Sequence, residues 1–142
     1  MAKGGPEPKP ISHPWSGPRP TPTNPNAVDF GPNVVVFDPS MPINAIQTKT
    51  NQILSQQVAN QLGPERIAFF FKPGSYNKLV MEIGYYTTVH GLGSSPDDVD
   101  IIGGLQVTGT PPDGSALNNF WRDVENLAVT PTINNRPPHA NE

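Results

Sequence analysis

The chain has 142 residues, of which 19 are proline, 13 are glycine and none is cysteine, and its formal net charge is -3. This length fits one domain, and the absence of cysteine excludes disulfides, thiol nucleophiles and cysteine-ligated metals. The Lys and Arg residues form no basic stripe, and no apolar run reaches the roughly 18 residues of a membrane span. The sequence therefore predicts neither a nucleic-acid partner nor a membrane partner.

The N-terminal segment is rich in proline, with nine prolines in the first 32 residues. Proline removes backbone donors and favours extended polyproline II, so residues 1–32 are predicted to be a disordered arm or linker. The alternative is a ligand for a proline-recognising groove, because the stretches PKPISHP and PRPTP fit such grooves. The opening MAKGGPEPKP lacks the apolar core of an export signal.

A strand and a helix are predicted after the arm. The run VVVF at residues 34–37 is typical of a strand, and Ser40 in the turn that follows is the predicted helix N-cap. From Ile43 apolar residues recur at helical spacing until Gly63-Pro64 ends the pattern. The predicted apolar face carries Ile46, Ile53, Leu54, Val58 and Leu62. Such a helix is expected to cap the open end of a strand stack, whose unpaired edge would otherwise recruit other chains.

Short β-branched and aromatic runs, broken by Gly, Pro, Asn or Asp, fill the region from Ile67 to Gly109. They predict strands at residues 67–71, 79–83, 87–92, 99–102 and 105–107, with an apolar pattern again at 120–129. Four apolar markers, Phe70, Val89, Val107 and Leu127, lie 19, 18 and 20 positions apart. This spacing is about one turn of a parallel β-helix, so residues 33–131 are predicted to form a coiled β fold. Residues 132–142 lose all periodicity and are predicted to be a disordered tail.

Four sequence blocks occur in a characteristic order: GPNVVVFDPSM, AFFFKPGSYN, IGYYTTVHGLGSSPDDV and NNFWRDVENLAVTP. They resemble the N-terminal part of a secreted, pectin-lyase-like right-handed β-helix family. Its members carry names such as adenylyl cyclase or coagulation factor 5/8-type (discoidin) domain protein. Their architecture is similar to that of the β-helical 1,3-glucanases of glycoside hydrolase family 55. The resemblance implies a mainly β fold: a short right-handed parallel β-helix with one N-terminal capping α-helix.

The same resemblance implies a carbohydrate-associated module that works outside the cell on a polysaccharide or oligosaccharide and needs no cofactor. Because members of the family are several hundred residues long, the chain is expected to be a truncated relative without complete catalytic machinery. If it is active, the family implies a glycoside hydrolase or a polysaccharide lyase. The alternative is a structural, self-associating β-solenoid that forms dimers or fibres through its open rung. An enzyme assembled from two chains at that interface is a third hypothesis.

Two acidic groups are candidate sites. Asp97, Asp98 and Asp100 lie within four residues, which suits either Ca²⁺ or, in the preferred interpretation, a turn capped by side-chain oxygens. Asp123 and Glu125 are weak catalytic candidates, because glycoside hydrolysis uses two carboxyl groups and residues two apart on a strand share a face. His90 lies in a predicted strand, whereas His13 and His139 lie in the predicted disordered arm and tail, so three histidines are not expected to converge and no metal site is predicted.

Aromatic and basic residues give the candidate sugar contacts Tyr85, Tyr86, Trp121 and Arg122. Trp121 is a candidate platform for a sugar ring, with Arg122 on the opposite face, and the alternative places Trp121 in the core. One of the two consecutive tyrosines is expected to face inward and the other outward. An outward Tyr is either a carbohydrate contact or part of an aromatic ladder with the residue on the next rung.

Overall fold

The computed structural model describes residues 28–107 and 121–132, so most of the predicted arm and tail lies outside the described residues. The elements are β1 (Val34–Phe37), α1 (Ile43–Gln57), β2 (Ile67–Phe71), β3 (Gly74–Glu82), β4 (Thr87–Gly91), β5 (Val99–Gln106), β6 (Arg122–Glu125) and β7 (Ala128–Pro131). A 3-10 turn at Pro96–Asp98 precedes β5. The described part of the chain is therefore mainly β, with one α-helix.

The strands form two parallel sheets, ordered β1-β2-β4-β6 and β3-β5-β7. The chain passes repeatedly from the first sheet to the second: β2 leads to β3, β4 leads to β5, and β6 leads to β7. We call each such passage a coil. From β4 onward each strand pairs in parallel with the strand of the preceding coil in its sheet, and β2 pairs in parallel with β1. The predicted stacking of parallel strands is thus confirmed.

Helix α1 covers the first edge of the second sheet, where it packs on β3. The side-chain amide of Gln47 donates to the Val80 carbonyl at 2.7 Å and accepts the Val80 N–H at 3.1 Å. These are the two bonds that a neighbouring strand would make with that residue. The predicted capping role of the helix is therefore confirmed for the second sheet.

The start of the helix differs from the prediction. Its N-cap is Pro42, which makes no side-chain cap, so the assignment of Ser40 as the cap is wrong. Ser40 instead donates its N–H and its hydroxyl to the Asp38 carboxylate, at 2.9 and 2.7 Å. These two donors, together with the Lys72 ammonium, lower the pKa of Asp38 to about 2. The Asp38 side chain holds Ser40 in a turn, two residues before the N-cap Pro42.

The helix also ends five residues earlier than the apolar pattern indicates. At its last residue, Gln57, the backbone carbonyl accepts the Tyr85 N–H at 3.1 Å, and the side chain donates to the Tyr85 carbonyl at 2.9 Å. These bonds tie the end of the helix to the loop before β4. The assignment of Val58 and Leu62 to the buried face is wrong, because they are 52% and 89% exposed.

The core lies between the two sheets and the helix. The first sheet contributes Phe37, Phe69, Phe71 and Val89; the second contributes Tyr76, Leu79, Met81, Val99 and Ile101; the helix contributes Ile46 and Ile53. Although β2 is apolar along its whole length, Phe69 and Phe71 are buried while Phe70 is only partly covered. One face of the first sheet is therefore outside the core.

The coils differ in length, so the predicted regular period is wrong. Thr87 pairs with Ile67, 20 positions before it, and with Arg122, 35 positions after it. The chosen markers are also out of register, because Phe70 pairs with His90 rather than with Val89. Parallel pairing fixes the strands but leaves the connections free to vary in length.

Strand β5 is one element rather than the two that were predicted. Gly103 and Gly104 lie inside it, and Gly103 pairs with Leu79 where β3 holds an extra residue, Lys78, at φ 65°. This bulge brings the strands so close that a Cβ on Gly103 would overlap the Leu79 carbonyl oxygen. The glycine pair therefore marks a close backbone approach within a strand and not a corner.

Tyr76 makes the stability of the core sensitive to alkaline pH. Its side chain is 2% exposed, its hydroxyl lies 2.8 Å from the Lys72 carbonyl oxygen, and burial raises its pKa to about 12. In the unfolded chain the phenol has a pKa of about 10 and loses its proton first. The contribution of Tyr76 to the free energy of unfolding is therefore complete below about pH 10 and is lost as the pH rises to about 12.

We expect Tyr76→Phe to remove this part of the alkaline decline and to lower the free energy of unfolding at neutral pH by about 1 kcal/mol, through the lost hydrogen bond. Urea unfolding at several values between about pH 8 and about pH 11 measures both effects. Equal declines in the two proteins would contradict the assignment.

Candidate functional site

A groove crosses the outer face of the four-stranded sheet. Its floor is a row of residues in register on successive strands, Val34, Ala68, Thr88 and Asp123. With strands about 4.8 Å apart, this row is about 14 Å long and runs across the strands. The groove has a volume of about 520 Å³ and is lined by Asn33, Val34, Arg66, Ile67, Ala68, Tyr86, Thr88, Trp121 and Asp123.

One wall of the groove is a stack of three side chains, Arg66, Tyr86 and Trp121. Each of them immediately precedes a strand of the first sheet, and because those strands start in register the three positions align. The Arg66 guanidinium carbon lies 3.5 Å from the centroid of the Tyr86 ring. On the next coil the Trp121 ring is stacked with Tyr86 at 5.4 Å between centroids and 23° between planes.

Backbone hydrogen bonds between coils hold this wall in place. Tyr86 and Trp121 have φ of 52° and 63°, a left-handed conformation that is unfavourable for bulky residues. The Tyr86 N–H donates to the Trp121 carbonyl at 2.7 Å, and the Ile67 N–H donates to the Tyr86 carbonyl at 3.0 Å. The Tyr86 hydroxyl also donates to the Gln61 carbonyl at 2.6 Å. Strained conformations that the surrounding structure enforces are concentrated at binding and catalytic sites.

The two tyrosines have different surroundings, as the sequence predicted. Tyr85 is 5% exposed, and the Arg122 guanidinium carbon lies 4.3 Å from its ring centroid. Arg122 also donates from Nε to the Ile83 carbonyl at 2.7 Å, so both side chains lie behind the stack. Tyr86 faces the groove and stacks on the next coil, which confirms the predicted ladder. Trp121 is 52% exposed, so the alternative that placed it in the core is wrong.

On the side of the groove opposite the stacked wall, a second ridge of side chains lies two residues beyond the floor residues along each strand. The Phe70 ring makes an edge contact with Phe30 at 5.4 Å and lies 6.0 Å from the His90 ring. Nδ1 of His90 lies 3.4 Å from Oε2 of Glu125, which belongs to the next coil. The groove floor therefore runs between the stacked wall and this ridge.

The carboxyl groups of Asp123 and Glu125 lie on the same outer face, because the two residues are separated by one position on β6. Asp123 lines the groove beside Trp121, while Glu125 lies on the second ridge with His90. Their Cα atoms are roughly 7 Å apart, from the rise of a strand. The structure thus brings together three of the six predicted site residues, Tyr86, Trp121 and Asp123, in one groove.

The acidic cluster after β4 forms a turn. The Asp98 carboxylate accepts the Ser95 N–H at 2.9 Å and the Ser94 hydroxyl at 3.0 Å, and these donors lower its pKa. The Ser95 side chain caps the following 3-10 turn, so the turn interpretation is confirmed. Within residues 28–107 and 121–132 no three His, Asp or Glu side chains cluster as metal ligands. In the same ranges no helix is long and apolar enough to cross a membrane.

Known proteins share both sequence and fold with most of this chain. Over 103 residues it is 48% identical to an exo-β-1,3-glucanase of Streptomyces sp. (strain SirexAA-E / ActE). It is similar to part of a glucanase. The match covers 72% of this chain but 17% of the glucanase, and no protein-family model matches the chain.

Two solved structures give the same result. The structure of sacteLam55A from Streptomyces sp. SirexAA-E is 48% identical with a TM-score of 0.68, and the match covers 73% of this chain and 19% of that protein. The second is an ensemble refinement of a point variant of sacteLam55A in complex with glucose. Its sequence is 47% identical and its TM-score is 0.70, and the match covers 75% of this chain and 19% of that protein. These matches agree with the expected similarity to glucanases of glycoside hydrolase family 55.

Arg66 and Thr88 are groove residues that the sequence analysis missed. Arg66 is the residue immediately before β2, as Tyr86 is the residue immediately before β4. Thr88 is the second residue of β4, as Asp123 is the second residue of β6. An alignment of the segments on their strand starts would have found both residues.

Proposed function

We propose that the outer-face groove binds a polysaccharide or oligosaccharide. In this proposal the chain is a carbohydrate-binding segment of a right-handed parallel β-helix, similar to part of a β-1,3-glucanase. The observation that carries the proposal is the stack of Tyr86 and Trp121 along the wall of the groove. The similarity to an exo-β-1,3-glucanase, and to a glucanase variant in complex with glucose, supports it.

The side chains of the groove match the chemistry of a sugar ring. A pyranose offers an apolar C–H face that packs on an aromatic ring, and hydroxyl groups that need donors and acceptors around its edge. Trp121 supplies the half-exposed aromatic surface. Asp123 supplies an acceptor, while Thr88 and Asn33 each supply a donor and an acceptor.

The shape of the groove favours an extended ligand. Its floor crosses all four strands of the first sheet, and the side chains on the first three strands are the small residues Val34, Ala68 and Thr88. A ligand that lies on this floor would run along the axis of the coils, with the wall at its side. We therefore propose a short stretch of an extracellular polysaccharide chain as the ligand, rather than a single sugar.

In this proposal the chain binds the sugar but lacks a complete set of catalytic residues. A glycosidase holds its acid in an apolar site close to the scissile bond. Asp123 is exposed, and the side chain of Glu125 is 63% exposed and lies beside His90. Since the chain spans 17% of the glucanase that it matches, we propose that hydrolysis requires residues beyond these.

Trp121→Ala is expected to weaken binding of laminarin oligosaccharides by about 2 kcal/mol, roughly thirtyfold in Kd, because it removes the half-exposed aromatic surface of the groove wall. Isothermal titration with laminarin, cellulose and pectin oligomers measures this loss and also ranks the sugars. Trp121→Phe should restore part of the affinity, since it keeps a flat aromatic surface.

Leu62→Ala is the matched control, because Leu62 is an exposed apolar residue outside the groove. It should leave the affinity unchanged. The proposal fails if no oligomer releases heat, or if Trp121→Ala changes the midpoint of thermal unfolding and not the affinity.

A further inference from the structure

The guanidinium group of Arg66 is fixed by backbone carbonyls and by an aromatic ring. Its Nη1 donates to the carbonyl oxygens of Gly63 and Glu65, each at 2.9 Å. The guanidinium carbon lies 3.5 Å from the centroid of the Tyr86 ring, so it covers one face of that ring. A planar fork with several donors can make both kinds of contact at once, which the compact ammonium of lysine cannot do. The shape of arginine is therefore what this position uses.

Tyr86 is enclosed within the stack. Its strand, β4, lies between β2 and β6 in the first sheet, so Arg66 and Trp121 approach the ring from opposite sides. The Trp121 ring lies 5.4 Å from the Tyr86 ring and 23° from parallel to it. The Tyr86 hydroxyl donates to the Gln61 carbonyl at 2.6 Å. Because protein groups occupy both faces of the Tyr86 ring, a pyranose cannot stack on it, and Tyr86 offers the groove only its edge.

Arg66 and Trp121 are separated by the Tyr86 ring. They precede β2 and β6, which are two strands apart in the sheet, a spacing of about 9.6 Å. An effect of Arg66 on the orientation of the Trp121 ring therefore passes through Tyr86. An aromatic side chain that is already held in its binding orientation loses less conformational entropy when the ligand binds. Removing the guanidinium would leave one face of Tyr86 unsupported and would allow the two rings to move.

We propose that Arg66 is a positioning residue of the sugar site: it acts through Tyr86 to hold Trp121 in the orientation that receives the sugar ring. This inference rests on the proposed function of the groove. Arg66 also lines the groove, so a direct hydrogen bond from its other donors to the sugar is the competing explanation. Direct contacts at separate places on an extended ligand add, whereas a positioning effect requires the residue that is positioned.

A double-mutant cycle on the full chain distinguishes the two explanations, with isothermal titration of laminarin oligosaccharides. Arg66→Ala is expected to weaken binding about fivefold in Kd, the effect of losing an exposed cation–π contact. In the Trp121→Ala background the same substitution is expected to have no further effect. An equal loss in both backgrounds would show that Arg66 contacts the sugar directly and would overturn the proposal.

Arg66→Lys separates the effect of shape from that of charge. Lysine keeps the positive charge but lacks the flat fork, so this variant is expected to weaken binding nearly as much as Arg66→Ala. Lys72→Ala is the matched control, because it removes an exposed cation outside the groove, and it should leave the affinity unchanged. Wild-type affinity in Arg66→Lys would contradict the proposal, since the charge alone would then be sufficient.

The orientation of Trp121 can also be followed without any sugar. The chain has two tryptophans, so Trp15→Phe leaves Trp121 as the only one. In this background Arg66→Ala should speed the rotation of the Trp121 ring in time-resolved fluorescence anisotropy and weaken its near-ultraviolet circular dichroism. The midpoint of thermal unfolding should change little. A merely structural role would instead lower that midpoint and leave the signals of the folded protein unchanged.

The outcomes separate this proposal from the proposed function. If the wild-type chain binds sugar and the Trp121 signals do not change in Arg66→Ala, the positioning role is wrong and the sugar site stands. If no oligomer releases heat with the wild-type chain, the sugar site is wrong and the positioning role fails with it.

Discussion

Gly103→Ala is expected to lower the free energy of unfolding by about 3 kcal/mol or more, because the new Cβ has no space and the backbone is unsuited to it. Gly103 has φ 158°, which residues with a side chain rarely adopt. Its Cβ would overlap the carbonyl oxygen of Leu79, on the neighbouring strand where Lys78 forms the bulge. Because the obstacle is backbone, β3 and β5 would have to separate. Urea unfolding followed by circular dichroism measures the loss.

The neighbouring glycine provides the matched control. A Cβ on Gly104 would meet no atom within 4 Å, so Gly104→Ala is expected to change the free energy of unfolding by roughly 0.5 kcal/mol or less. Both substitutions remove one glycine from the same strand and add the same methyl group. Equal losses in the two variants would contradict the close approach between Gly103 and Leu79.

The strands were predictable because each one is a short local pattern. The runs VVVF and IAFFF are apolar and β-branched or aromatic, and each is followed closely by proline or glycine. The lengths of the coils were not predictable, because parallel pairing constrains strands and not the loops between them. Gly103-Gly104 shows the same limit: two glycines mark either a corner or a close approach, and the bulge at Lys78 decides between them.

The ends of the helix were missed because other hydrogen bonds, local at the first end and tertiary at the second, override the capping and spacing signals. Ser40 is a good capping residue by type, but its hydroxyl is taken by Asp38 two residues earlier. At the other end the apolar spacing continues to Leu62, while the hydrogen bonds of Gln57 to Tyr85 stop the helix. Local propensity is a weak prior in both places, since packing on the sheet determines where the helix fits.

The groove was predictable in residue type but not in geometry. Tyr86 and Trp121 were candidates because exposed aromatic residues suit sugars, yet their stacking depends on a register that joins positions 35 apart. No local pattern encodes that interval, or the left-handed backbone that turns both rings into the wall. Arg66 was missed for a different reason: it aligns with Tyr86 once the segments are placed on their strand starts, but its residue type alone does not single it out.

Phe71→Ala should lower the free energy of unfolding by about 3 to 5 kcal/mol, whereas Phe70→Ala should lower it by about 1 kcal/mol, although both are phenylalanines of β2. Phe71 is 0% exposed, and its ring centroid lies 4.9 Å from those of Phe37 and Tyr76, so its removal leaves a cavity between the sheets. Phe70 lies on the outer face, where its edge contact is with the half-exposed Phe30. Urea unfolding of the two variants compares the faces directly. Equal losses would mean that both faces of β2 are buried, and the outer face of the first sheet would then have no room for the proposed groove.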